Sequence, residues 1–342
     1  MPSLRRKFLN HPFVLDFRHN FRSRSDLPTI LILRHMLPSH RNFHGHFVNW
    51  VRENHPAAFE RFRFARIPGL PVSLRNTAVL VPWLQDPLKE RFPDWYCLAK
   101  QVEDRCAQRS IPIINPVDCL SGSIKSFALP LIRQTGARTA HIVRIPRPAE
   151  FDFEKAGLSL PFFIREDRIP GGPITFISEP DDLRKVAWNT FENPVAVEYI
   201  ETRCADGNYR KYRYVFMGNA GVPRHLVIAK DWCVHAEARL LNPQTIEEEM
   251  NYTNLPSDLH HEILNNARKL LGMDMVAFDY SYDTEGRLVI WEPNPFPCLW
   301  VDYNTQNTPY QIPLMNRLYQ TFLQFFFDAG KLSFPGKNAA DI

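Results

Sequence analysis

Met275-Val-Ala-Phe-Asp279-Tyr-Ser-Tyr-Asp-Thr-Glu-Gly286-Arg-Leu-Val-Ile-Trp-Glu292-Pro-Asn294-Pro is the stretch on which the reading of this chain turns. Two apolar runs flank Asp-Thr-Glu-Gly, a turn-forming stretch, and together they read as a β-hairpin. With residues 283–286 as the loop, Tyr282 faces Arg287 and Asp279 lies opposite Ile290. Glu292 and Asn294 follow on the face of Asp279 at the two-residue repeat of a strand, and Phe278, Tyr280, Val289 and Trp291 share the other face. Three oxygen-bearing side chains then converge at the open end of an apolar hairpin. Hard oxygen ligands of this kind suit Mg²⁺, which keeps some waters and is usually shared with substrate phosphates. The plainer alternative is a solvated strand end with incidental acids. Glu-x-Asn interrupting a buried run is costly unless it serves a site, and that favours the metal.

The rest of the chain sets bounds. Its 342 residues suffice for two or three packed units, and 44% hydrophobic with 23% charged residues is ordinary for a globular protein. A net charge of +4 is too small to argue for nucleic acid. The excess sits mostly in a basic arm, residues 1–25, with Arg5, Arg6, Lys7, Arg18, Arg22 and Arg24 and no continuous apolar stretch. No run of residues is apolar enough to span a membrane. Six cysteines without a C-x-x-C pair do not resemble a disulfide framework, so reduced thiols and a cytoplasmic location are expected. The histidine groups at 40, 44 and 46 and at 260 and 261 lack matching ligand spacing elsewhere.

Strand and helix patterns alternate over residues 26–118, where Thr29–Arg34, Arg61–Ile67, Thr77–Trp83 and Ile111–Asn115 read as strands. His46–Glu60 and Asp94–Arg109 read as helices, and the whole argues a small α/β unit with a mainly parallel sheet. Downstream, 124–136, 179–191, 246–271 and 313–327 read as helical. Strands are expected at 139–145, 162–165, 174–177, 194–200, 212–217 and 225–230.

With the hairpin, these pieces resemble the ATP-grasp superfamily of carboxylate–amine ligases, of the glutathione synthetase and D-alanine–D-alanine ligase type, over roughly residues 77–300. The resemblance implies an α/β fold, α+β in its catalytic part, with an N-terminal Rossmann-like pre-ATP-grasp domain. It divides the chain into the arm 1–25, that domain at 26–118, a small phosphate-lid subdomain at 119–192 and a C-terminal subdomain at 193–335. By the same resemblance, Asp279, Glu292 and Asn294 hold Mg²⁺, or Mn²⁺, on the phosphates of ATP. Lys125 is the first phosphate-binding lysine. Arg165 stands where the family usually has a second lysine; it stays charged and can bridge two phosphate oxygens. Gly171 and Gly172 belong to a short proline-rich phosphate lid. Glu198, Tyr199 and Ile200 are the hinge whose backbone pairs with the adenine edge, and Glu201 contacts the ribose. Arg213 faces the transferred phosphate, with Arg210 as the register-slipped alternative. Arg224 and Lys230, six apart, would share a face of a regular strand and add cations.

The implied activity joins a carboxylate to an amine through an acyl phosphate, releasing ADP and phosphate. The substrates would be small molecules or peptides, without nucleic acid or membrane, and a homodimer is compatible. Two alternatives stand beside it: a phosphotransferase that stops at phosphorylation, and a nucleotide-binding protein without ligase activity, for which Arg165 would mark a degenerate site.

Overall fold

The computed structural model describes residues 19–20, 26–35, 43–69, 71–169, 172–235, 238–295 and 308–335. Most of the basic arm, Gly171 and Cys298 lie outside them. The chain divides into two compact units, one of residues 1–120 with 296–342 and one of residues 121–295.

The first unit is built on a parallel sheet ordered β2-β1-β3, from Thr29–His35 (β1), Phe62–Ile67 (β2) and Thr77–Pro82 (β3). The central strand β1 and its neighbour β3 are largely apolar on both faces, as helix-covered parallel strands are, whereas the edge strand β2 carries Arg63 and Arg66 among its apolar residues. Leu31, Leu33 and Leu80 pack with Val102 and Cys106 of the helix Pro93–Ala107. A separate aromatic cluster gathers on Phe47, whose ring lies 5.7 Å from Phe326 and 6.1 Å from Phe322. Those two phenylalanines belong to the helix Gln311–Ala329, which places it in the first unit and not in a C-terminal subdomain reaching residue 335. The expected fourth strand at 111–115 is reduced to a bridge between Leu80 and Ile113, since Pro112 and Pro116 withhold the amides that would extend it. Asn20 finishes the edge of β2, donating to the Phe64 carbonyl (2.7 Å) and accepting from its amide (3.0 Å).

The second unit carries two antiparallel sheets. One is ordered β4-β7-β5-β6, from Ile142–Arg144 (β4), Phe162–Glu166 (β5), Ile174–Ile177 (β6) and Pro194–Glu198 (β7). The other is ordered β11-β10-β8-β9, from Tyr209–Met217 (β8), Ala220–Ala229 (β9), Met275–Tyr282 (β10) and Leu288–Asn294 (β11). The first of these buries Phe162, Ile164, Ile177 and Ala196 on one face and leaves Arg165 on the other. Helices Pro243–Thr253 and His261–Leu270 replace the single helix expected over 246–271, because Pro256 breaks it. Residues 179–191 form two short 3₁₀ turns, Pro180–Lys185 and Trp188–Thr190. There Asp182 takes the Ser178 and Glu179 amides and closes the chain locally. His46–Glu60 is likewise split by Pro56 into Phe43–Asn54 and Pro56–Phe59.

Truncating Phe326 to alanine removes a fully buried ring that packs on Phe47 in the first unit's aromatic cluster. Chemical denaturation is expected to show a loss of about 3–5 kcal/mol, the usual cost of emptying a buried phenylalanine site.

Candidate active site

The hairpin forms, and its register differs from the one the sequence suggests. Tyr282 pairs with Leu288 and Tyr280 with Ile290, so the loop spans five residues, 283–287. Gly286 supplies the positive φ of 77° that closes it. Asp283 organises the turn: its Oδ1 accepts the Glu285 and Arg287 amides at 3.0 and 2.9 Å, and its Oδ2 accepts Arg287 Nε and an Arg138 guanidinium nitrogen at 2.8 and 2.6 Å. This slip alone would turn Glu292 and Asn294 away from Asp279. A β-bulge at Trp291 shifts the pairing back, so Asp279 stands directly opposite Glu292, and Ala277 opposite Asn294. The three expected ligands share a face, whereas Ile290 lies with Tyr280 and Val289 with Ser281.

Pairing continues across the sheet. Asp279 is opposite Arg213, and Arg213 is opposite His225. One row of Glu292, Asp279, Arg213 and His225 therefore crosses all four strands. The Arg213 guanidinium grips Asp279 with both arms, Nε to Oδ1 at 2.5 Å and a terminal nitrogen to Oδ2 at 2.7 Å. Lys211, two residues earlier and so on the same face, stands 3.8 Å from Asp279. Asp279 itself is 1% exposed, and these cations make its charge tolerable there. Arg210 belongs to the opposite face, held by Asp206 at 2.9 Å and Glu248 at 2.6 Å. A second bulge, at Arg224 in β9, breaks the regular alternation that would align Arg224 with Lys230. Lys230 is exposed just past the end of β9.

Lys125 opens the helix Lys125–Arg133 and is buried, with its ammonium paired to the Glu292 carboxylate. Burial alone would raise the Glu292 carboxyl, but Lys125 and Arg165 outweigh it and hold the group well below the usual carboxylate range. The Arg165 Nε is buried without a hydrogen-bond partner among the described residues, as is the Asn294 Nδ2. Such unmet donors are costly and suit an anion at Arg165 and a reoriented amide at Asn294. No group of three or more His, Cys, Asp or Glu side chains able to hold a metal occurs among the described residues. The expected set has two carboxylates and one amide oxygen. Its chemistry fits a divalent cation that also takes water and phosphate oxygens.

Gly172 has Glu166 Cβ and the Ile169 carbonyl 3.0 Å from where a side chain would begin, so the loop packs too closely there for alanine without a shift. Glu198 is committed to structure: its amide donates to the His141 carbonyl, and its carboxylate accepts the His141 amide (2.8 Å) and Arg138 (3.3 Å). Ile200 is buried, and Glu201 accepts the Arg203 amide at 2.9 Å. Tyr199 joins Phe163, Phe176 and Trp232 in an aromatic cluster on the Arg165 face of its sheet; the Phe163 and Trp232 centroids are 4.6 Å apart. Sequence reading missed Trp232, Arg138 and His225. Only the two-residue spacing of Lys211 from Arg213 announced a further cation.

A parallel sheet in the first unit and two antiparallel sheets in the second, one of them carrying this hairpin, make up the ATP-grasp fold that the solved structures share. Among solved structures, the ATP-grasp ligase PsnB complexed with a minimal precursor matches with a TM-score of 0.56 and 12% identity, covering 88% of this chain and 100% of that one. D-alanine–D-alanine ligase from Bacillus anthracis complexed with ATP matches with a TM-score of 0.55 and 12% identity, covering 89% and 96%. The VanG D-Ala:D-Ser ligase from Enterococcus faecalis gives 0.56 and 13%, covering 89% and 100%. No protein-family model and no curated protein matches the sequence. No helix among the described residues is long and apolar enough to cross a membrane.

The Asp283 turn makes a pH prediction. Burial would raise this carboxyl, but the Arg287 amide and the Arg287 and Arg138 guanidinium groups hold it far below the ordinary range. Its folded pKa is therefore below its unfolded one, so its contribution is complete above the unfolded carboxylate range and is lost as pH falls. Asp283→Asn should cost about 1.5–3 kcal/mol at neutral pH, the worth of hydrogen bonds to a charged group. It should also flatten the acid limb of stability, and urea unfolding at several pH values measures both.

Proposed function

We propose that this chain is an ATP-dependent carboxylate–amine ligase, using Mg²⁺ at Asp279, Glu292 and Asn294. The observation that carries the reading is the row of Glu292, Asp279 and Arg213 on one face, with Lys125 and Arg165 converging on Glu292. Paired acids and cations on one sheet face are what a magnesium–polyphosphate ligand needs, since the ligand can replace each internal partner by one of its own charges. The similar structures include ligases solved with ATP or with precursor peptides, which supports amino-acid or peptide substrates here.

Mg²⁺ held by Asp279, Glu292 and Asn294 would supply charge neutralisation on the phosphates of ATP. Lys125 and Arg165 bind phosphate oxygens; Arg213 meets the charge that develops on the transferred group. The Tyr199–Ile200 backbone serves the adenine, because the Glu198 amide is already bonded to His141. Gly171 and Gly172 cover the phosphates, Glu201 takes the ribose, and Lys230 and Arg210 have at most an accessory part. Water must be kept from the acyl phosphate until the amine attacks.

Incubation with Mg²⁺-ATP and mixtures of amino acids and short peptides should release phosphate only when both a carboxylate and an amine are present. A phosphorylated product that persists without an amine would favour a phosphotransferase, and no ATP turnover would contradict the proposal. Asp279→Asn and Glu292→Gln should each abolish turnover and weaken Mg²⁺-ATP binding, with some loss of stability from the buried cations left unpaired.

Two arginines separate binding from chemistry. Arg165→Ala should raise the Michaelis constant for ATP about tenfold, as the loss of a charge-assisted contact does. Arg213→Ala should lower the rate constant by about 10²–10³ with ADP affinity nearly unchanged. Arg210→Ala, on the far face, should lose stability and not chemistry. Normal turnover by Arg213→Ala would remove that residue from the site.

A further inference from the structure

Next to Arg213 in the cross-strand row stands His225, the last member on β9. Its Nε2 is sealed from solvent and has no hydrogen-bond partner among the described residues. Leaving a ring nitrogen unmet inside a protein costs stability, so some use for it is to be sought.

Its surroundings define its charge. Arg213 and Lys211 face it from β8, Arg224 from its own strand, and Arg239 from the segment ahead of the helix Pro243–Thr253. The nearby carboxylates are engaged with these same cations, Asp279 with Arg213 and Lys211, and Glu249 with Arg239. Burial first, and then the four cations, push the imidazole well below its ordinary range. His225 is therefore a neutral ring, with one nitrogen lone pair, in the most cationic part of the sheet face. A fifth cation would add nothing for binding an anion. A group that can receive a proton is what the row otherwise lacks.

Resting on the ligase reading above, we infer that His225 is the proton acceptor for the attacking amine. Arg213 faces the phosphoryl group in that reading, and His225 is one strand further along the same face, where the second substrate would approach the acyl carbon. The amine arrives as an ammonium ion and loses one proton to the imidazole. Its freed electron pair then forms the C–N bond, the bond from acyl carbon to phosphate oxygen breaks, and the phosphate leaves with that electron pair. The second nitrogen-bound proton goes to the departing phosphate, giving hydrogen phosphate and a neutral amide. The surrounding cations also time the step. In the free protein they keep the ring unprotonated; the negative charge of bound nucleotide and acyl phosphate offsets them and raises its basicity when the amine is present.

Hydroxylamine tests this directly, because it is unprotonated at neutral pH and needs no base to attack an acyl phosphate. Wild-type protein with Mg²⁺-ATP and a mixture of free amino acids and short peptides should form amide, and hydroxamate when hydroxylamine is added. His225→Gln and His225→Asn keep a donor and cannot take a proton. Both should lose amide formation by about 10²–10⁴-fold, the span of general acid–base catalysis, and keep hydroxamate formation and Mg²⁺-ADP affinity near wild type. Their amide rate should climb with pH into the alkaline range, as the free amine becomes available unaided. In the wild-type protein, ring ¹⁵N resonances of His225 should show the neutral form at mildly acidic pH and move towards the protonated form when Mg²⁺-ADP binds. Wild-type amide rates in both variants would overturn the inference alone, and so would equal loss of amide and hydroxamate, which marks a binding or structural role. Absence of hydroxamate from the wild type would overturn the ligase reading and this inference with it.

Discussion

Asp279 is a carboxylate with 1% of its surface exposed, and the second unit is arranged so that its charge can stay there. An unpaired charge at that depth would be untenable, so Arg213 closes on it with both arms and Lys211 stands behind. Both cations come from β8 at positions two apart, and β10 pairs with β8 in a register that aligns Asp279 with Arg213. Once that pair is fixed, the bulge at Trp291 decides which face Glu292 shows, and Lys125 is drawn to it from its helix. The arrangement is thus a consequence of strand register, with each acid already carrying a cation that a metal ion would replace and a phosphate would take over.

This arrangement separates the charges of the row from charges that only brace the sheet. Arg210 is one residue from Lys211 but faces the other way, into Asp206 and Glu248. Arg138 joins the Asp283 turn to Glu198, and so couples the hairpin loop to the end of β7. Behind the sheet, Tyr252 donates to the Arg213 carbonyl at 3.2 Å, and Tyr280 is bonded to Asp258. These contacts leave the strand carrying Arg213 little freedom, and a preorganised cation depends on that.

Much of this was legible in the sequence, for identifiable reasons. The two-residue alternation and the Asp-Thr-Glu-Gly turn gave the hairpin, and Glu-x-Asn inside an apolar run gave its acids. The alternating pattern over 26–118 gave the parallel sheet. The register was not legible, because a five-residue loop and a bulge at Trp291 cancel one another, and neither leaves a mark in spacing. The row itself was hidden for related reasons: Arg213 and Asp279 meet through strands far apart in sequence, and the bulge at Arg224 sets His225 against Arg213. Helix ends were blurred where prolines cut them, at Pro56 and Pro256. The membership of Gln311–Ala329 in the first unit depends on contacts with Phe47, which no local pattern announces.

The central claim is that Glu292 and Asp279, with Lys125 and Arg165 converging on them, bind a polyphosphate together with a divalent cation. Calorimetric titration of the protein with ADP, in the presence of Mg²⁺ and again with the metal chelated, tests it most directly. The account predicts saturable binding at one site that weakens at least tenfold, about 1.4 kcal/mol, when Mg²⁺ is removed. Absence of binding, or equal affinity in both conditions, would contradict it.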